Sequence, residues 1–193
     1  GVLYYGDFPL AQTPAFREGW FTLQDVSSML AVEAVSPAPG MKVLDACAAP
    51  GGKATHLAEQ MDDRGRVTAW DIYPHKLRLI QEHVQRLKLT SIVTELFDAR
   101  LAAEREELYD AVLLDAPCSG FGVIRRKPDL KWRKGPEDLA AIVRLQRQLL
   151  EAVATRVKAG GVLVYSTCTV DVEENEGLLE GFLRSHAHFS LDP

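Results

Sequence analysis

Two cysteines of the chain sit in settings where a thiol can do chemistry. Cys118 lies in Asp115-Ala116-Pro117-Cys118-Ser119-Gly120, and Cys168 lies in Ser166-Thr167-Cys168-Thr169. Each directly follows an apolar run, Tyr109 to Asp115 and Gly161 to Thr167, that reads as a buried strand. Neighbouring parallel strands would bring both thiols to one cleft. A thiolate is a strong nucleophile. Added to carbon 6 of a cytosine, it pushes electron density onto carbon 5, which is otherwise too poor a nucleophile to attack a sulfonium methyl group. A base then removes the proton from carbon 5, and the thiol is expelled. Asp115 is the candidate acid for the ring nitrogen beside the carbonyl. Spacing alone does not say which thiol attacks. The third cysteine, Cys47, reads as a small core hydrophobe whose backbone lines a turn.

That turn is the second feature with chemical content. Asp45-Ala46-Cys47-Ala48-Ala49-Pro50-Gly51-Gly52-Lys53 runs from a strand into a helix. Its glycines allow close backbone approach to a ligand, and the helix start offers free N–H groups. Asp71 ends the next strand, 20 positions after Gly51, where a carboxylate can accept both hydroxyls of a ribose. Asp98 ends the third strand, where an adenine would lie, and Asp115 ends the fourth, near the reacting centre. Together they point to an adenosine-containing cofactor. G-x-G-x-x-G is absent, which disfavours a nicotinamide dinucleotide and its pyrophosphate. S-adenosyl-L-methionine has no phosphate and needs only a looser turn.

The elements that must hold these residues alternate. Residues 1 to 20 read as an irregular lead-in, and a helix is expected from Leu23 to Val35, stopped by Ser36-Pro37-Ala38-Pro39-Gly40. Strands are expected at Met41 to Ala46, Arg66 to Asp71, Ile92 to Phe97, Tyr109 to Asp115 and Gly161 to Thr167. Helices are expected from Lys53 to Gln60, from Pro74 through Leu87, from Pro136 onward, and from Glu173 to Arg184. In the long helix the apolar stripe runs from Leu139 to Val157, with Gly160 as its stop. This order implies an α/β, Rossmann-like, doubly wound and mostly parallel sheet in a single catalytic domain over residues 1–193. In such sheets ligands bind beyond the carboxyl ends of the strands, where all the residues above fall.

Composition narrows the choice. The chain has 193 residues, 47% of them hydrophobic, enough for one core. No apolar stretch approaches the roughly 20 residues of a membrane span, so no membrane role is expected. The cysteines lack the close spacing of a zinc site, so no metal is expected, and an odd number suits a reduced, cytoplasmic protein. The net charge is −5, which argues against nucleic acid as a partner. Arg125, Arg126, Lys127, Lys131, Arg133 and Lys134 nevertheless place six basic groups in ten positions, with Trp132 among them to stack a base. Residues 116 to 136 read as a long functional loop.

The segments DACAAPGGK, DAPCSG and STCT, with Gln24-Asp25-Val26-Ser27-Ser28 upstream, resemble the RsmB/Sun-type (NSUN) RNA 5-methylcytosine methyltransferases. The resemblance runs from about Gly19 to Leu183. Gly120-Phe121-Gly122-Val123-Ile124-Arg125-Arg126-Lys127-Pro128-Asp129 resembles the RsmB branch, which methylates small-subunit ribosomal RNA. The resemblance implies a class I methyltransferase fold and S-adenosyl-L-methionine as cofactor. It implies 16S ribosomal RNA as the expected partner, with transfer RNA or a catalytically silent RNA-binding role as alternatives. It makes Cys168 the nucleophile and Cys118 the group that helps release product. It matches Cys47, Ala48, Ala49, Pro50, Gly51, Gly52, Lys53, Asp71, Asp98 and Asp115 to cofactor positions, with Lys53 also reaching the catalytic centre. Arg125, Arg126, Lys127 and Trp132 become the expected RNA contacts. Family members also carry an N-terminal RNA-binding domain and further C-terminal strands, for which no segment is evident here.

Three rivals stay open on the residues alone. A methyltransferase acting on nitrogen or on a small molecule needs no thiol, and its usual Asn/Asp-Pro-Pro-Tyr is replaced here by Asp-Ala-Pro-Cys. A non-catalytic RNA-binding module would bind cofactor without turnover. A nicotinamide oxidoreductase is disfavoured by the glycine pattern.

Overall fold

The computed structural model describes residues 2, 4, 6–124 and 135–192. Five strands, β1 (Lys42–Asp45), β2 (Arg66–Asp71), β3 (Ile92–Leu96), β4 (Tyr109–Asp115) and β5 (Val157–Ser166), form one sheet in the order β3-β2-β1-β4-β5. Every pairing is parallel. The six α-helices among the described residues are α1 (Pro14–Arg17), α2 (Val26–Val35), α3 (Gly52–Gln60), α4 (Pro74–Leu87), α5 (Pro136–Ala154) and α6 (Glu176–Ser185).

Alternation along the strands sorts the apolar residues onto two faces. Val43, Val67, Ala69, Ala111 and Leu113 face one side and pack with Val32, Val35, Leu57, Met61 and Ile80 of α2, α3 and α4. Leu44, Trp70, Val112 and Leu114 face the other and pack with Leu149, Leu150, Val153, Leu178 and Phe182 of α5 and α6. Both faces of β1, β2 and β4 are covered, which is why these strands read as near-continuous apolar runs. The chain leaves β1 for β2 and β3 on one side and returns to β4 and β5 on the other. A crevice therefore opens at the carboxyl ends of β1 and β4, the switch point of the topology.

Most element boundaries match the sequence reading within a few residues, and β2 and β4 match it fully. The end of α5 differs. The helix stops at Ala154, with Thr155 as its cap, and Val157 already pairs with Tyr109 in β5. Val157 is therefore not part of the helical stripe, and Gly160 is not a helix stop. Gly160 (φ +76°) lies in a bulge, because register resumes only at Ala111 with Val162. An apolar residue three positions past a helix carries the same periodic signal whether it continues the helix or starts the next strand. The helix expected from Leu23 begins instead at Val26, after Asp25, and the lead-in holds a 3-10 turn at Leu10–Gln12 as well as α1.

Between β1 and α3 the chain turns through Gly51 at φ +109°, where a Cβ would come within 3.0 Å of Ile80 Cα. No L side chain fits both the dihedral and the backbone of α4. Gly52 has open space at its Cβ position. Gly51→Ala is expected to lower stability by about 1–3 kcal/mol and Gly52→Ala by less than about 0.5 kcal/mol. Denaturant midpoints of the two variants check this; equal effects would contradict the turn as described.

Candidate active site

The crevice is a cleft of about 420 Å³, and the sequence-derived candidates meet in it. Cys47 and Ala49 from the turn after β1, Asp71 from the end of β2, Asp98 after β3, and Asp115 and Cys118 from the end of β4 all line it, with Cys168 after β5. A second recess of about 200 Å³ shares Cys47, Ala49 and Asp115 and adds Ala48, Pro50, Gly52 and Lys53. Gly51 is buried behind the turn, and Gln24 of the upstream segment donates from Nε2 to the Gly52 carbonyl at 3.4 Å.

Several lining residues escaped the sequence reading. Ile72, Tyr73 and Lys76 follow Asp71 into α4, and Leu145 and Leu149 reach the cleft from α5. Ile72 carried a signal, being an apolar residue just past a strand-end acid. Leu145 and Leu149 could not be assigned, because a residue on an amphipathic stripe looks the same whether it faces core or ligand. Arg125, Arg126, Lys127 and Trp132 lie outside the described residues.

Acids dominate the floor. Asp71 is 8% exposed and accepts from the Tyr73 amide at 2.9 Å. Asp45 is buried, and neither of its oxygens has a well-formed hydrogen bond. Burial first, then the Asp115 charge, raise its carboxyl to about 7, with Lys53 opposing. Asp98 is held in a fork by Arg100, at 2.6 Å to Oδ2, and that hydrogen bond keeps its carboxyl below the usual range. Asp115 is bracketed: Lys53 Nζ is 2.6 Å from Oδ2, and Ser166 donates to Oδ1 at 2.8 Å. Among the described residues no three His, Cys, Asp or Glu side chains are grouped to hold a metal ion.

The three thiols differ sharply. Burial, then the Asp45, Asp71 and Asp115 charges, push Cys47 up to about 12, so it stays protonated. Cys118 and Cys168 lie 3.0 Å apart, sulfur to sulfur, with no disulfide between them. This is too long for a disulfide, which needs about 2.05 Å. The thiols share a hydrogen bond, so the first proton lost leaves a charge stabilised by the remaining S–H. Cys168 is exposed and carries that charge: the hydrogen bond from Cys118 pulls it down to about 7, against burial and the Asp115 carboxylate. The same bond, with burial, pushes Cys118 up.

The parallel sheet, its order and the cleft at the switch point make this the Rossmann-like fold of the S-adenosylmethionine-dependent methyltransferases. An O-methyltransferase of that class from Thermotoga maritima shares the fold with a TM-score of 0.60 at 16% identity, over 83% of this chain and 51% of that one. Within the class, the model of the 16S rRNA methyltransferase RsmB/F family matches residues 32–193, and the chain belongs to that family. A relative in Bacillus subtilis (strain 168), described as a probable ribosomal RNA small subunit methyltransferase B, is 49% identical over 185 residues. That match takes in 95% of this chain and 41% of the relative, so the chain spans less than half the relative's length. The crystal structure of NSun6 from Pyrococcus horikoshii with SFG superimposes with a TM-score of 0.85 at 35% identity, over 91% of this chain and 45% of that one.

The thiol pair makes a direct prediction. Iodoacetamide should alkylate Cys168 first, with a rate that rises through a midpoint near pH 7, whereas Cys47 stays unmodified. Cys118→Ala removes the donor and should move the Cys168 midpoint up toward about 8.5. Peptide mass spectrometry across a pH series reads both; a midpoint unmoved by Cys118→Ala would contradict the shared hydrogen bond.

Proposed function

We propose that residues 1–193 form the catalytic domain of an RNA methyltransferase that places a methyl group on carbon 5 of cytosine through a covalent bond to Cys168. The observation that carries this reading is the pair of sulfurs, 3.0 Å apart, on the wall of the cleft that also holds Asp71 and Asp115. A nitrogen methyltransferase has no use for either thiol. Family membership and the names of the relatives favour RNA, with small-subunit ribosomal RNA as the substrate.

S-adenosylmethionine fits the donor set. The acids Asp45, Asp71 and Asp115 suit a cation and disfavour a pyrophosphate, while Ile72, Leu145 and Leu149 offer apolar walls of the kind adenosine needs. NSun6, 35% identical, was crystallised with SFG, an analogue of that cofactor. When bound, S-adenosylmethionine supplies an electrophilic methyl group on a sulfonium. Asp71 would hold its ribose, and the turn from Cys47 to Lys53 would lie against its amino-acid end.

The chain's own residues supply the rest. Cys168, the thiol already drawn toward its charged form near neutral pH, adds to carbon 6 and forms the C–S bond. Electron density displaced through the ring is met at the nitrogen beside the carbonyl by the proton that Asp115 and Lys53 share. Carbon 5, now electron-rich, would take the methyl group from the cofactor. Cys118, released from its hydrogen bond once Cys168 is bonded to carbon, relays the carbon-5 proton away. The ring electrons return, the ring nitrogen gives its proton back, the C–S bond breaks, and Cys168 leaves as thiolate. The basic stretch with Arg125, Arg126, Lys127 and Trp132 would hold RNA phosphates and a base. The cytosine must come out of its stack, since a stacked ring offers neither face to a thiol.

The test is product analysis. The chain, incubated with methyl-labelled cofactor and ribosomal RNA and then digested to nucleosides, should yield labelled 5-methylcytidine. Cys168→Ser should lower the yield by at least about a thousandfold. Label on a nitrogen, or cofactor binding with no transfer, would overturn the assignment.

A further inference from the structure

Behind the two thiols lies a buried polar cluster that the chemistry above leaves unused. Glu174 and Gln146 are both fully buried, at 0% exposure. Glu174 ends a single 3-10 turn, Val172–Glu174, and Gln146 projects from the middle of α5. Oε2 of Glu174 accepts from the Ser119 amide at 2.9 Å and from Gln146 Nε2 at 2.8 Å. The same nitrogen donates to the Pro117 carbonyl at 3.0 Å. Both of its partners are acceptors, so the orientation of the Gln146 amide is settled by the network.

Pro117 and Ser119 are the residues on either side of Cys118, and both are gripped by this pair. Ser119 also reaches across to the other thiol's loop, where its Oγ lies 2.7 Å from Thr169 Oγ1. Thr169 is the residue after Cys168. The Gly122 amide in turn donates to the Cys168 carbonyl at 3.0 Å. The two cysteine loops are thus fastened to each other just past the sulfurs. Burying a carboxyl group is costly unless its hydrogen bonds repay the lost water. Here those bonds converge on the backbone flanking one thiol.

We propose that Glu174 and Gln146 are positioning residues that set the separation of the Cys118 and Cys168 sulfurs. This deepens the proposed function and rests on it for its catalytic meaning, but its geometric content stands on the network alone. A sulfur-to-sulfur contact of 3.0 Å has little slack. A displacement of about 1 Å forfeits the hydrogen bond between the thiols and takes Cys118 away from a base bonded to Cys168. Among the described residues, the charged and titratable groups facing the sulfurs are Asp115 and Lys53 from the cleft and Tyr165 beside Cys118. Tyr165 Oη donates to the Glu174 main-chain carbonyl at 2.8 Å, which ties that ring to the same cluster.

The experiment compares Glu174→Ala, Gln146→Ala and the conservative Glu174→Gln in the 193-residue chain. Two readouts are needed: the pH midpoint of Cys168 alkylation, and kcat against KM for methyl transfer. Both alanine variants should raise the alkylation midpoint by about one pH unit and lower kcat about a hundredfold, leaving KM for the cofactor within about twofold. Glu174→Gln keeps an acceptor for both donors and should restore most of each. Should Glu174→Ala fail to fold, Gln146→Ala carries the test, since it removes one donor to the buried carboxyl and leaves the Ser119 amide as its partner. Folded variants with an unmoved midpoint and unmoved kcat would overturn the proposal. If the unaltered chain transfers no methyl group to cytosine, the proposed function fails, and the alkylation midpoint still judges the clamp.

Discussion

Parallel pairing of β4 with β5 is the constraint on which the rest depends. Asp115 pairs with Ser166 at the carboxyl end of that ladder, so the segments that follow, Ala116 to Gly120 and Thr167 to Thr169, leave the sheet side by side. Two cysteines separated by 50 positions in the chain are brought into one neighbourhood by that pairing. Ser166 at the last paired position also donates to Asp115, so one rung of backbone register fixes both a hydrogen bond to the acid and the approach of the thiols. A slip of one residue would turn these side chains to the opposite faces of the sheet. The bulge at Gly160 and the continuous register from Val162 to Ser166 lock the pairing against that slip.

Charge then divides labour among chemically identical groups. Cys47, Cys118 and Cys168 are all thiols near one cleft, yet their environments spread them from a protonated, inert side chain to one drawn down to about 7. The acids Asp45, Asp71 and Asp115 cluster under the cleft, and Lys53 enters their midst, bonded to Asp115, while Lys76 lines the cleft on the α4 side. A negatively lined floor next to an ionisable thiol is a demanding arrangement, because the carboxylates oppose the thiolate. The hydrogen bond between the two sulfurs and the ammonium of Lys53 offset that opposition. An acidic floor also accounts for part of the net charge of −5 in a chain whose family acts on RNA.

Much of this arrangement was legible in the sequence. Acids at the ends of four successive strands announced a ligand site, and the strands themselves were short apolar runs with clear punctuation by Gly and Pro. The end of α5 was misjudged because Val157 satisfies two periodicities at once, and only the pairing of Val157 with Tyr109 decides between them. The clamp of Glu174 and Gln146 left no trace at all. Glutamate in Glu173-Glu174-Asn175-Glu176 reads as a solvated, charged run, and glutamine on a helix reads as surface. Their burial follows from tertiary packing between α5 and the segment after β5, which no local pattern encodes.

The central claim is that both sulfurs act on one pyrimidine in turn, Cys168 forming the bond and Cys118 ending it. RNA carrying 5-fluorocytosine tests it most directly, because fluorine on carbon 5 cannot leave as a proton does and the adduct is trapped. The account predicts a cofactor-dependent covalent complex with the unaltered chain, none with Cys168→Ser, and with Cys118→Ser a complex that accumulates even on ordinary cytosine. A covalent complex that persists in Cys168→Ser would contradict it.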